Sequence, residues 1–152
     1  MGLDYSLMLS TGLDRAHALG LLAEHIQGLH WGEENAFLFG TDIIVTVIDL
    51  DGEARSIVEE GFGFRPSLSV GFRFPSNHDY ERFAQAMLWG ALLLLDHGGD
   101  GVLLFNGEII VLQRIGEQLV FNADYKLYGD EHWLEGKVSV PFERRSLPSP
   151  FL

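Results

Sequence analysis

Leu68-Ser69-Val70-Gly71-Phe72-Arg73-Phe74 decides the fold class. Leu68, Val70, Phe72 and Phe74 fall on one side at period two, and Ser69, Gly71 and Arg73 fall on the other. That alternation reads as an antiparallel strand with one face buried. Pro75-Ser76-Asn77 ends it. Ser76 or Asn77 is suited to cap a helix with Asp79 in its first turn. Phe83, Met87, Ala91 and Leu94 then recur at helical spacing, and Leu88 and Leu95 widen the stripe. Gly98, just after His97, fits the position that closes such a helix.

Upstream, Asp4 to Leu9 reads as a first strand, with Tyr5, Leu7 and Leu9 on one face. Thr11 followed by Asp14 marks a helix start. Leu19, Leu22, Ile26 and Leu29 predict a helix from about Asp14 to Gln27, with Gly28 as its stop. Phe37 to Phe39 and Ile43 to Leu50 read as strands. Asp51-Gly52 predicts a hairpin turn, with a partner strand through Ala54 to Val58.

Downstream, Val102 to Phe105, Asn106-Gly107 and Ile109 to Leu112 predict a tight hairpin, and Ile115-Gly116-Glu117 leads to Leu119-Val120-Phe121. Tyr125 to Tyr128 and Lys137 to Val140 read as short strands. Pro141, Pro148 and Pro150 predict an irregular tail over about 141–152, docked through Phe142 and Phe151. The whole is expected to be one α+β domain: an antiparallel sheet with two helices packed on one face, related to the ferredoxin-like βαββαβ plan with additional hairpins.

Composition narrows the function. The chain has 152 residues, so it can bury a core without a disulfide or metal staple. It has no cysteine, which excludes a thiol nucleophile and a zinc ribbon and suits the cytoplasm. The formal charge is −12, with 22 acidic residues against 10 basic. Nucleic-acid binders carry a basic stripe, so no nucleic-acid partner is expected. The longest apolar run, Ala86 to Leu95, is far short of the ~20 residues that span a bilayer, and no secretory leader is visible, so no membrane association is expected.

No catalytic arrangement emerges. His17, His25 and His30 are eight and five apart, spacings that do not converge on one helix face. Asp96-His97-Gly98-Gly99-Asp100 lacks the closing glutamate of a calcium loop. Gly61-Phe62-Gly63 is followed by Pro66 and a strand, which excludes a dinucleotide loop. Glu33-Glu34 and Glu59-Glu60 are adjacent pairs that point apart, so they read as solvated charge. No enzyme, no cofactor and no metal are expected. The denser acidic set, Asp49, Asp51, Glu53, Glu59 and Glu60 around Arg55, has two readings. It guards an exposed strand edge, or it contacts a basic protein partner.

One resemblance bears on that choice. Asp4-Tyr5-Ser6-Leu7, Val70-Gly71-Phe72-Arg73-Phe74, Met87 with Leu92 to Leu95, Asp100, Leu103-Leu104, Asn106-Gly107-Glu108, Leu112, Arg114 and Gly116 together resemble the Sit-type immunity proteins of bacterial polymorphic toxin systems. The likeness spans most of residues 4 to 121, and its motifs are structural. It implies a small cytoplasmic protein that binds and neutralises a cognate toxin domain. It implies no site residue. A small-molecule-binding domain of the same plan is the alternative.

Overall fold

The computed structural model describes residues 3–75, 79–125, 138 and 140–151. Among these residues, nine strands form one sheet. They are β1 (Leu3–Leu9), β2 (His30–Trp31), β3 (Phe37–Phe39), β4 (Ile44–Asp49), β5 (Leu68–Phe74), β6 (Gly101–Phe105), β7 (Ile109–Ile115), β8 (Gln118–Asn122) and β9 (Phe142–Arg145). The helices are α1 (Arg15–His25), α2 (Gly52–Phe62) and α3 (Tyr80–Asp96). The sheet order is β2-β3-β4-β5-β1-β6-β7-β8-β9. Every pairing is antiparallel except β8 with β9, which is parallel.

β1 and β5 pair along their full lengths, Leu3 opposite Phe74 and Leu9 opposite Leu68. This register sets Tyr5, Leu7 and Leu9 beside Phe72, Val70 and Leu68, all buried. The main core joins them to Leu19 and Leu22 of α1 and to Phe83, Met87 and Leu94 of α3. Gly90 makes the helix contact possible: a Cβ there would lie 3.0 Å from Leu22 Cδ2 and 3.1 Å from Ile26 Cδ1. Asp14 caps α1 through the His17 N–H at 2.8 Å. Asp79 caps α3 by accepting from Glu81 and Arg82. Asp79 is thus the cap itself rather than a residue of the first turn; Ser76 and Asn77, the expected caps, lie outside the described residues.

The expected hairpin at Asp51-Gly52 is not there, and three α-helices form among the described residues where two were expected. Gly52 does take a positive φ of 51°, as the turn reading required. The chain then enters α2 because Glu53-Ala54-Arg55 and Glu59-Glu60 are strong helix formers. Gly63, at φ 78°, ends the helix in the left-handed conformation, its N–H bonded to Glu59 O. A second core lies behind α2: Val58, Phe64, Val102, Leu104 and Ile110, with Met8, Leu147 and Phe151 against it. Met8 lies between Leu7 and Leu9, so this core is on the sheet face opposite the first.

Part of the expected irregular tail is a strand. β9 pairs with β8, and Phe142 meets Phe121 with ring centroids 5.1 Å apart. Phe151 meets Phe62 edge-on at 5.5 Å. The short strands expected at Tyr125 to Tyr128 and Lys137 to Val140 fall mainly outside the described residues.

Asn122 fastens this last segment. Its amide donates to Ile110 O at 2.6 Å and Leu147 O at 3.3 Å, and its oxygen accepts from Asp124 and Leu147 N–H groups. Asn122→Leu keeps the branched shape and leaves those buried and part-buried groups unpaired. A loss of roughly 2–4 kcal/mol is expected by urea titration, since each stranded group costs about 1–3 kcal/mol. A loss below about 0.5 kcal/mol, the scatter of ordinary surface changes, would mean that water takes Asn122's place.

Candidate protein-binding surfaces

The structure separates the acidic residues that the sequence placed together. Asp49 closes β4 and meets Arg15 Nε at 3.4 Å. Asp51 precedes α2 with an extended backbone, and its side chain makes no capping bond. Glu53 lies in the first turn, favourably placed toward the helix dipole. Glu59 approaches Arg65 Nε at 3.8 Å. Arg55 turns away from all of these and donates to Leu50 O, and its Nε is buried without a partner.

What the helix gathers instead is a stripe. Glu53, Ile57 and Glu60 stand four and three residues apart, on one face of α2. Ile57 is 49% exposed. An exposed apolar side chain thus sits between two exposed carboxylates, on a helix rather than a strand edge. The edge-guarding reading therefore does not apply to Glu53 and Glu60, because α2 has no strand edge to guard.

A groove of about 620 Å3 lies elsewhere, on the side of the main core. Trp89, Leu92, Leu93 and Asp96 of α3 form one wall. Arg114, Glu117 and Leu119 form the floor and one lip, and Val140, Pro141, Phe142 and Glu143 form the other. Gly116 and Glu117 make the β7–β8 turn, both at positive φ, 61° and 68°. Arg114 bonds Leu95 O, a carbonyl in the last turn of α3. The sequence reading missed this groove. Its signal was the unbroken run Ala86 to Leu95, more apolar surface than one buried stripe uses.

Three tyrosines form the most perturbed polar cluster. Tyr5 Oη lies 2.8 Å from Tyr80 Oη and 2.7 Å from Tyr125 Oη. Burial, then the bonds to Tyr125 and Tyr80, push the Tyr5 hydroxyl far above its usual range. Burial likewise raises Tyr125, to about 12. Phe74, Phe83 and Phe105 pack around the cluster. Its two hydrogen bonds tie Tyr125 to β1 and α3.

Of the described histidines, His17, His25 and His97 serve helix ends, and His30 lies in β2. His25 and His97 each donate from Nδ1 to the carbonyl four residues back, Leu21 and Leu93. His17 Nδ1 lies 2.8 Å from Asp14. The His17 backbone bond, followed by its side chain, holds the Asp14 carboxyl below its usual range. Among the described residues, no three histidine or carboxylate side chains converge as a metal site would require. No helix among them is long and apolar enough to cross a membrane.

Comparison with known proteins places the chain. No curated protein and no solved structure matches it. The model of the family described as SitI3-like matches residues 3–132, which begins at β1 and runs past β8. That match takes in β1 to β8, α1 to α3 and the turns whose residues carried the resemblance, so the chain belongs to the SitI3-like family.

Proposed function

We propose that this protein is a cytoplasmic immunity protein that binds a cognate toxin domain and neutralises it by occlusion, with no chemistry of its own. The family match over residues 3–132 carries the reading. The formal charge of −12 supports a basic partner. The proposed contact is α2 with its flanks: Asp49, Asp51, Glu53, Glu59 and Glu60, with Ile57 as the apolar anchor between Glu53 and Glu60. Rim charges act mainly on encounter rate and an apolar anchor on residence time. As a fold, the central strands β4-β5-β1-β6 with α1 and α3 are read as a ferredoxin-like unit, extended at both edges and carrying α2 on its other face.

The test is protection of cells that express the toxin encoded beside this gene. Asp51, Glu53, Glu59 and Glu60 are reversed together to lysine. Association is expected to slow about tenfold or more at low salt, with less difference at high salt. Lysines near the start of α2 oppose its dipole, so Glu59→Lys with Glu60→Lys, near its end, is the variant that spares folding. Unchanged protection by folded reversal variants would remove α2 from the contact. The rival reading, a small-ligand binder, draws on the groove volume, which lies within the ~300–1,000 Å3 of ligand sites. A small molecule retained through purification, together with no protection by the wild type, would decide for it.

A further inference from the structure

The α3–β9 groove is a site in its own right, across the sheet from α2. We propose that it receives a cationic side chain, arginine or lysine, with a flanking apolar residue, presented by a segment of a partner protein. Among the described lining residues stand three carboxylates, Asp96, Glu117 and Glu143, and one guanidinium, Arg114. Arg114 is already committed to the α3 carbonyl of Leu95. The last turn of α3 adds its own negative dipole end, which favours a cation there.

The walls suit the rest of such a side chain. Trp89 and Val140 are each 43% exposed, large apolar surfaces left open at the groove. An indole face attracts a cation, and the methylene stem of arginine or lysine covers apolar surface while its head stays polar. Phe142 already shows this chemistry: the Arg144 guanidinium carbon lies 5.7 Å from its ring centroid. Three carboxylates against the single Arg114 guanidinium leave the lining net negative, which disfavours an anionic ligand.

The far lip, Val138 with Val140, Pro141, Phe142 and Glu143, lies outside the residues that match the family model. The groove therefore combines α3, which the family model covers, with a segment that it does not. This inference does not rest on the immunity reading, because it concerns what the groove binds rather than what the partner does.

The experiment follows amide and indole resonances of the full chain while acetyl-Leu-Arg-Leu-amide is added. Acetyl-Leu-norleucine-Leu-amide is the uncharged control. Saturable shifts are expected at the Trp89 indole and at Gln118 and Leu119. The arginine peptide should bind about fivefold or more tightly than the control, an advantage that shrinks with salt. Trp89→Ala should weaken binding about tenfold. Glu117→Gln with Glu143→Gln should abolish the preference for arginine while leaving the residual apolar binding. Both carboxylates line an open groove, so these variants should fold as the wild type does. Equal binding of the two peptides would overturn the proposal, as would shifts elsewhere on the protein or none at all. A small molecule that copurifies in the groove and blocks the arginine peptide would also overturn it.

Discussion

Met87→Asp is expected to unfold the protein. Met87 is fully buried in the middle of α3, within the core that joins α1, α3 and β1. A carboxylate there has no described basic partner, since that core is built of apolar side chains. It must stay charged and unsolvated or take up a proton, and either route costs several kcal/mol. A domain's whole stability is about 5–15 kcal/mol, so the variant should lose its cooperative thermal transition near neutral pH. Met87→Leu is the control: similar volume and shape should keep the change under about 1.5 kcal/mol. An aspartate variant that melts like the wild type would show that this face of α3 is not core.

Much of this arrangement was legible because it is local. The period-two alternation of Leu68 to Phe74 and the stripe through Phe83, Met87, Ala91 and Leu94 report which side chains are buried, and all of these but Phe74 are buried. Asn106-Gly107 supplies two positive φ values, 52° and 73°, that few other pairs adopt without strain. Asp51-Gly52 carries the same signal and misleads. Gly52 uses its positive φ to enter a helix, because Glu53-Ala54-Arg55 and Glu59-Glu60 favour a helix over a strand. Short segments carry too little periodicity to separate the two. β9 was illegible for another reason. Its pairing with β8 is non-local and parallel, and Phe142-Glu143-Arg144-Arg145 looks like a polar tail until Phe121 and Asn122 give it a place. The groove needs that same pairing, so only its α3 wall could be read in advance.

Raising the pH above 10 should destabilise the protein steeply, and Tyr5→Phe should flatten that dependence. Tyr5 and Tyr125 both have raised pKa values in the folded state, first through burial. In the unfolded chain each titrates near 10.0. The folded form therefore keeps protons that the unfolded form has released. Stability from this source is fully present below about pH 10 and falls as pH rises, by about 1.4 kcal/mol per pH unit for each such tyrosine. For Tyr125 the fall continues to about pH 12, its folded value. For Tyr5 it continues beyond the measurable range. The window is unusually clean, because the chain has only two lysines to titrate across it. High salt suppresses the general repulsion of an acidic chain. Urea midpoints in steps from pH 8 upward should be flat and then drop. Tyr5→Phe removes the more strongly raised of the two titrating groups. It should lower stability at pH 8 by roughly 1–2 kcal/mol, the net worth of the hydroxyl bonds, and lose less on going to pH 11. Parallel curves for wild type and variant would mean that the Tyr5 hydroxyl reaches water and that the cluster does not tie Tyr125 to β1.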